Sequence, residues 1–229
     1  MTIIQKKKVT CAHCGHRYET GLFCRIDTED RPDLKSMARS LSRYLPRCPS
    51  CETHSLKSEH LFVYHQQEDD FLLIYAPMDP EDAMQACLAE GLVSEEEFKP
   101  QPGRTVRIVR STIAFREKLK LLDDGLDDHI IETMKVILGM GLFLPSEELL
   151  PARFTYEFSL PGRELVFHRL STKCEPNMPL PMDRFNYDIL LETYGREMQA
   201  DPAMVVDGAW ASAFFKKYSE PVMPMPRLL

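Results

Sequence analysis

The sequence predicts an α+β fold, and three observations support that prediction. Two Cys-x-x-Cys motifs stand near the N-terminus, "CAHC" at residues 11–14 and "CPSC" at residues 48–51. Short runs of branched and aromatic residues, typical of strands, are interspersed with capped amphipathic segments, typical of helices. With 229 residues, the chain suffices for one large domain or two modest ones, and it can bury its own core.

The N-terminal quarter predicts a strand and a helix between the two cysteine motifs. Residues 16–29 mix aromatic, branched and polar side chains without helical periodicity, which favours a strand. Residues 30–45 place Asp and Pro at helix-start positions and then repeat apolar residues at helical spacing. After the second motif, residues 59–66 and 70–77 are two strand-like runs around a polar turn, so we expect a hairpin.

The middle of the chain predicts helices around one strand. A helix begins at Asp79 and Pro80 and ends at a glycine, whereas residues 95–104 are interpreted as a charged link. Residues 105–122 begin with the alternation of a strand and continue as a helix. The clearest amphipathic helix covers residues 126–141, because its apolar residues share one face.

The character of the sequence changes near residue 150. We therefore expect a first domain over residues 1–150, with the cysteine motifs inside residues 9–58, and a smaller α+β part over residues 151–229. In the second part, residues 153–170 are predicted to form two strands around a Pro-Gly turn, and residues 174–183 a proline-rich loop. Two helices are predicted over residues 183–198 and 207–220, followed by an extended tail over residues 221–229.

Charge and hydropathy constrain the environment of the protein. The net charge is −7, yet residues 1–58 contain 11 basic and only 6 acidic side chains. Such a basic quarter suits a partner surface, and it equally compensates the charge of nearby thiolates. The basic start has no apolar segment of a signal peptide after it, and no apolar run is long enough to span a bilayer. We expect a cytoplasmic protein without a membrane partner.

Four of the seven cysteines have the spacing of a tetrahedral metal site. Two Cys-x-x-Cys turns are separated by 33 residues, and each turn can present two thiolates to one ion. Gly15 allows the positive-φ step that such turns need. An odd number of cysteines in a reducing compartment argues against a disulfide framework. We therefore predict one structural Zn²⁺, and its ligands are Cys11, Cys14, Cys48 and Cys51.

Other interpretations of the cysteines stay open. A redox motif places its attacking thiol at a helix N-terminus, whereas both motifs here precede strand-like residues. An iron–sulfur cluster also uses four thiolates, although its cysteines are usually grouped differently. Three nearby histidines can replace a cysteine and are interpreted as neighbouring or surface groups, namely His13, His16 and His54. The remaining cysteines are interpreted as small buried side chains, namely Cys24, Cys87 and Cys174.

Several separated blocks resemble a known family. They are "CAHCG", "CPSC", "YHQQEDDFLLIYAP" and "REKLKLLDDGLDDHIIETMKVIL". Together they look like the bacterial CpXC family over roughly residues 9–140, with Ala12 where the first family motif has proline. The resemblance implies a zinc-ribbon-like N-terminal module, and it implies no particular activity.

The search for an active site leaves two kinds of candidate. One is an acidic cluster beside a histidine, Asp123, Asp124, Asp127, Asp128 and His129. It suits an acid–base or metal site, but a capped turn is favoured because negative charge stabilises a helix N-terminus. The other candidates are histidines in strand-like segments, His60, His65 and His168. Without a nucleophile, zinc-protease or phosphate-loop motif, we predict no catalytic or cofactor-binding residue, and an enzyme is a minority hypothesis.

The sequence thus favours a protein-interaction or regulatory module held together by zinc, with an unknown protein partner and with homo-oligomers as a further option. The aromatic face of the last helix is interpreted mainly as core, namely Trp210, Phe214 and Tyr218. The alternative is a nucleic-acid-binding zinc ribbon, against which the pI of 5.6 argues. Its contacts would be Lys6, Lys7, Lys8, Arg17, Arg25, Arg39, Arg43 and Arg47, with Tyr18, Phe23 and Tyr44 for stacking.

Overall fold

The structure is a computed structural model, and it describes residues 1–38, 46–54, 60–141, 154–160, 164–170 and 179–218. The chain forms two compact units, residues 1–120 and residues 121–229. Both units contain strands and helices, so the predicted α+β class is confirmed. The domain boundary predicted near residue 150 lies outside the described residues and stays a prediction.

The first unit is built on a five-stranded sheet with the order β1-β2-β3-β4-β5. Its strands are β1 (Ile3–Thr10), β2 (Arg17–Asp27), β3 (Phe62–Gln66), β4 (Phe71–Tyr75) and β5 (Thr105–Val109). The β1–β2 and β3–β4 pairs are antiparallel, whereas the β2–β3 and β4–β5 pairs are parallel. The sheet is therefore mixed rather than antiparallel throughout, because long connections let the chain re-enter the sheet in the same direction.

Helices of this unit lie in the connections between strands and after β5. Their bounds are α1 (Lys35–Ala38), α2 (Pro80–Ala89), α3 (Glu95–Phe98) and α4 (Thr112–Asp123). The predicted start of α2 is confirmed, and Gly91 has a φ of +65° just beyond its end. Of the helix predicted over residues 30–45, a 3-10 turn and α1 are described, and residues 39–45 lie outside the described residues.

Strands β3 and β4, two of the three inner strands, form the centre of the first core. Val63 and Ile74 are fully buried, and the ring of Phe62 lies 5.5 Å from that of Phe115 on α4. Continuous apolar runs such as "FLLIY" are typical of strands that are covered on both faces. Burial of this kind is the main favourable term in folding, so the first unit has a core that does not depend on a metal.

The second unit combines an antiparallel sheet with helices. Its elements are β6 (Phe154–Leu160), β7 (Glu164–Arg169), β8 (Pro179–Asp183), α5 (Asp128–Gly141), α6 (Arg184–Gln199) and α7 (Gly208–Tyr218). Helix α5 packs against α6 and α7, and Ile130 and Met134 on its predicted apolar face are fully buried. Phe214 is buried with Trp210 and Tyr218 packed beside it, which confirms the predicted core role of the α7 aromatic face.

Three elements are absent from the sequence-based prediction, namely β1, α3 and β8. Strand β1 contains three consecutive lysines that obscure its alternation, and its pairing with β2 decides its conformation. Helix α3 is a single turn closed by a capping box between Ser94 and Glu97. Strand β8 contains two prolines and is tolerated because it lies at the sheet edge. In the described part of the chain, no helix combines the length and apolarity that crossing a bilayer requires.

Candidate metal centre

The first Cys-x-x-Cys turn, here called the first knuckle (residues 11–16), connects β1 to β2. The amide of Cys11 donates to the carbonyl of His16 at 2.9 Å, and the amide of Gly15 donates to the carbonyl of Cys11 at 3.0 Å. Gly15 has a φ of +73°, a conformation that glycine adopts without steric penalty. The turn therefore holds both of its cysteines at the end of the β1–β2 hairpin.

The second knuckle (residues 48–53) repeats the same backbone hydrogen bonds. The amide of Cys48 donates to the carbonyl of Thr53 at 2.9 Å, and the amide of Glu52 donates to the carbonyl of Cys48 at 2.9 Å. An antiparallel bridge between Arg47 and His54 closes the turn. Glu52 has a φ of +59°, so the two knuckles share one backbone geometry although only the first has a glycine.

The four thiols of the two knuckles converge on one point. Cys11 Sγ lies 3.7 Å from Cys51 Sγ, and Cys14 Sγ lies 3.7 Å from Cys48 Sγ. All four sulfurs lie within 4.8 Å of one another. Zn–S bonds of about 2.3 Å in a tetrahedron place sulfurs about 3.8 Å apart. The donor atoms therefore match a four-coordinate metal site in both number and spacing.

Burial differs between the thiols. Cys11 and Cys48, the first cysteines of the two knuckles, are buried. Cys51 is half-buried and Cys14 is exposed. The site therefore lies at the surface of the first unit, and one of its thiols is accessible from solvent.

Thr53 belongs to this site and is not among the residues predicted from the sequence. Its Oγ1 lies 3.0 Å from Cys51 Sγ and 3.7 Å from Cys11 Sγ. Hydrogen bonds from the hydroxyl and the amide of Thr53 lower the pKa of Cys51 to about 7. A threonine two residues after the last cysteine is a weak sequence signal, because only the turn geometry directs its hydroxyl towards the sulfur.

The proximity of the sulfurs has the opposite effect on Cys14. The His16 amide stabilises the Cys14 thiolate, but desolvation and hydrogen bonds with the other three thiols outweigh it and raise the pKa to about 11. Four thiolates at this spacing repel one another, and a divalent cation removes that repulsion. The chemistry of the donor set therefore fits a thiophilic metal ion.

The histidines near the knuckles lie outside this group of donors. His13, His16 and His54 are exposed, and the cluster within 4.8 Å contains four cysteines and none of these histidines. The His16 ring stacks on Tyr18 at 6.0 Å, and the Tyr18 hydroxyl donates to the carbonyl of Pro46 at 3.4 Å. This aromatic pair therefore joins the strand after the first knuckle to the approach of the second.

One residue of the acidic cluster, Asp127, caps a helix in the second unit. Asp127 Oδ1 accepts the amide hydrogen of His129 at 2.9 Å, directly before α5 begins at Asp128. The same oxygen lies 2.9 Å from His129 Nδ1, and donor atoms of these three residues lie within 4.8 Å of one another. Asp124 accepts a hydrogen bond from the Tyr156 hydroxyl at 2.6 Å. Local capping and a tertiary hydrogen bond account for this arrangement.

The three histidines predicted in strand-like segments all have protein partners. His60 Nε2 lies 3.2 Å from a backbone carbonyl oxygen, and burial lowers its pKa. His65 Nδ1 lies 3.0 Å from Asp27 Oδ2. His168 Nε2 contacts the carboxylate of Glu157. These contacts are those of structural histidines, of which His65 lies in β3 and His168 in β7, whereas His60 precedes β3.

Arg25 is the centre of a buried ionic network that the sequence does not reveal. It is only 6% exposed, and its guanidinium lies 2.7 Å from Glu97 and 3.3 Å from Asp27. It also donates to the carbonyl of Leu92 at 2.8 Å. Burial opposes ionisation of Glu97, but Arg25 and Ser94 lower the pKa of its carboxyl to about 2. Arg25 is therefore committed to the fold and is unavailable to a phosphate backbone.

The other basic and aromatic candidates fall into three groups. Two cations have acidic partners at 2.6 Å, in the pairs Lys7–Glu90 and Arg47–Glu52. Three cations are exposed on the β1–β2 hairpin, namely Lys6, Lys8 and Arg17. The aromatic candidates of the same hairpin, Tyr18 and Phe23, are half-buried. Three candidates lie outside the described residues, namely Arg39, Arg43 and Tyr44.

The isolated cysteines agree with their predicted role where the structure describes them. Cys24 and Cys87 are fully buried. Burial raises the pKa of the Cys87 thiol to about 11, so it is protonated at neutral pH. Cys174 lies outside the described residues.

The arrangement of two matched knuckles can be compared with known families. The family model described as "CpXC protein" matches residues 9–135. The chain belongs to the CpXC family. The match begins at the end of β1, includes both knuckles and continues into α5. No curated protein and no solved structure gives a significant match.

Proposed function

We propose that this CpXC protein binds one Zn²⁺ through Cys11, Cys14, Cys48 and Cys51, and that the ion has a structural role. The observation that supports this most directly is the convergence of four sulfurs within 4.8 Å. Two turns with the same hydrogen bonds present them, which is how Cys-x-x-Cys pairs share one tetrahedral ion.

A structural role follows from the number of protein ligands. Four cysteines complete a tetrahedral shell, whereas catalytic zinc sites keep one position open for water or substrate. When bound, the ion supplies cross-linking rather than Lewis-acid chemistry. The chain's own groups hold the shell in place: the knuckle amides orient the backbone, and the Thr53 hydroxyl donates towards Cys51 Sγ.

The surroundings of the cysteines favour zinc over a redox role. A redox Cys-x-x-Cys has its reactive thiol at the N-terminus of a helix, where the helix dipole stabilises the thiolate. Here the first knuckle leads into β2, and the second closes onto the Arg47–His54 bridge. Sulfurs of different knuckles lie 3.7 Å apart, as expected for ligands of one shared ion.

We propose that the metal-organised unit serves as a protein-interaction or regulatory module. The site joins the end of the β1–β2 hairpin to a segment more than thirty residues away, so the ion orders a surface region of the first unit. A nucleic-acid-binding ribbon is the second candidate, and its support is reduced to exposed cations of the hairpin, because Arg25 is buried in ion pairs.

Metal analysis of the purified chain tests the zinc site. We expect about one zinc per chain, loss of zinc in Cys48→Ser and Cys14→Ser, and unchanged zinc in Cys24→Ala, which removes a buried thiol outside the cluster. Zinc well below one per chain rejects the site, and iron with charge-transfer absorption assigns the cluster to iron instead.

Capture of partner proteins from a cell extract tests the proposed protein-interaction role. Zinc-loaded wild-type protein and Cys48→Ser are used as matched baits in an extract of the native host, and we expect a protein retained by the wild type alone. A salt titration with a duplex and a single-stranded oligonucleotide tests the second candidate, which requires binding that weakens steeply with salt. Equal capture by both baits contradicts a metal-organised interaction surface.

A further inference from the structure

The exposed face of the β1–β2 hairpin has a regular arrangement that the metal centre does not use. The register pairs on this face are Ile4–Phe23, Lys6–Gly21, Lys8–Glu19 and Thr10–Arg17. Ile4 is 56% exposed, and its Cγ2 lies 3.3 Å from where a Cβ on Gly21 would stand, while Lys6 and Lys8 continue the row towards the first knuckle. The face is therefore apolar at the Ile4 end and carries two cations, Lys6 and Lys8, further along β1.

Among the described strands, β1 is an edge strand, and its outward main-chain groups have no strand partner there. Because the amide of Cys11 donates to the carbonyl of His16, the antiparallel alternation directs the amides of Val9 and Lys7 towards β2. The amides of Lys6 and Lys8 are directed away from β2, and within the described residues no other strand lies on that side of β1. These groups can pair with an added extended chain.

The lysines of β1 without an acidic partner among the described residues both lie on the exposed face of the hairpin. Lys6 and Lys8 are exposed, about 7 Å apart along the strand, and neither forms an ion pair with a described residue. Lys7 points to the other face, where Glu90 neutralises it at 2.6 Å. An added strand therefore meets two exposed cations at alternate positions, of which Lys6 lies opposite Gly21 and Lys8 lies opposite Glu19 in the register with β2.

We propose that β1 is the docking edge for an extended acidic peptide, which adds to the sheet as a further strand. Its acidic residues alternate and lie beside Lys6 and Lys8, and the residues between them are β-branched and lie on the side of Val9. This inference rests on the proposed interaction role, and it names the surface and the chemistry of the partner.

Charge disfavours the two other occupants of this edge. Pairing of β1 with β1 of a second copy brings two lysine runs together, and like charges on adjacent strands are destabilising. Single-stranded nucleic acid lacks the regularly spaced main-chain carbonyls that pair with the outward amides of Lys6 and Lys8, and a unit with 18 basic and 18 acidic residues has no net charge to attract a long polyanion. An acidic peptide requires only the local cations and the main-chain edge.

The test uses the full chain with its zinc content measured first. A fluorescent peptide of alternating glutamate and valine, as long as β1, is titrated by anisotropy. We expect saturable binding, weakened about tenfold by the double variant K6E/K8E and unchanged by the control Lys216→Glu, an exposed lysine on α7. We also expect slower hydrogen exchange at the amides of Lys6 and Lys8 when the peptide is bound.

A second probe needs no protein variant. The same peptide N-methylated at alternate residues keeps its charge but loses the main-chain donors, so we expect no binding. Equal binding of both peptides, or no binding by the zinc-loaded chain, overturns the inference and leaves the zinc site intact. Preference for an oligothymidylate over the peptide overturns it in favour of nucleic acid. A chain without zinc rejects the proposed function itself.

Discussion

Gly15 and Glu52 occupy the same position in the two knuckles. Each directly follows the second cysteine of its motif, and the amide of each donates to the carbonyl of the first cysteine. Both are in the left-handed region, with φ of +73° and +59°. For glycine this conformation has no steric penalty, whereas for a residue with a side chain it costs about 1–2 kcal/mol.

This equivalence predicts opposite effects of two substitutions. Glu52→Gly relieves the strained φ and loses only the exposed ion pair with Arg47, so we expect about 1 kcal/mol of added stability in the zinc-loaded protein. Gly15→Ala introduces the strain, and we expect about 1 kcal/mol of loss. Urea denaturation at fixed zinc measures both. The same sign for the two variants contradicts the equivalence, since among the described residues, apart from its chain neighbours, none has an atom within 4 Å of the Cβ position at Gly15.

The hydroxyl of Thr53 is predicted to retain the metal. Its Oγ1 lies 3.0 Å from Cys51 Sγ, and groups that hydrogen-bond to metal ligands typically contribute about 10- to 100-fold to metal affinity. We expect Thr53→Val to release zinc to a chromogenic chelator about tenfold faster than wild type, and Thr53→Ser to stay close to wild type. Release from Thr53→Val at the wild-type rate shows that the hydroxyl does not act on the sulfur.

The Arg25–Glu97 pair is predicted to stabilise the first unit in a pH-dependent way. The pKa of Glu97 is lowered to about 2 from an ordinary value near 4.5, so its contribution is complete above pH about 4.5 and is lost as the pH falls towards 2. At pH 7, we expect Glu97→Gln to lose about 2 kcal/mol, because a part-buried charge-assisted hydrogen bond to the buried Arg25 is weakened.

The neighbouring residue supplies the control for this prediction. Glu96 pairs with Lys99 at 2.7 Å, but both side chains are more than 60% exposed. We expect Glu96→Gln to change the free energy of unfolding by less than about 0.5 kcal/mol. Denaturation curves measured at decreasing pH should show that the free energies of unfolding of Glu97→Gln and wild type converge. If the difference in unfolding free energy between Glu97→Gln and wild type stays constant down to pH 2, ionisation of Glu97 is not the cause of the stabilisation.

In the second unit, Asp127 is predicted to act as a cap rather than as a metal ligand. Its Oδ1 accepts the amide hydrogen of His129 at 2.9 Å. Since asparagine caps as well as aspartate, we expect Asp127→Asn to preserve stability to within about 0.5 kcal/mol and Asp127→Ala to cost about 1 kcal/mol. Thermal denaturation with and without divalent cations distinguishes the roles. A cation-dependent stability that Asp127→Asn abolishes would identify a metal ligand.

Local interactions explain which parts of the fold the sequence predicts. The start of α2 at Asp79 and Pro80, its end at Gly91 and the amphipathic face of α5 are encoded within a few residues of one another. The Cys-x-x-Cys turns are equally local, so the four candidate ligands follow from spacing. By contrast, β1 becomes recognisable through its register with β2, which is a pairing between segments.

The sequence by itself determined the two knuckles, the capped helices and the membership of a cysteine-motif family. Tertiary structure alone decided that Cys11 lies 3.7 Å from Cys51, that Thr53 contacts their sulfurs and that Arg25 is buried against Glu97. It also decided the parallel pairing of β2 with β3 and the position of β1 at the edge of the sheet formed by the described strands. The physical reason is that caps and turns are stabilised by nearest neighbours, whereas strand order, burial and ion pairing depend on segments that meet only when the whole unit has folded.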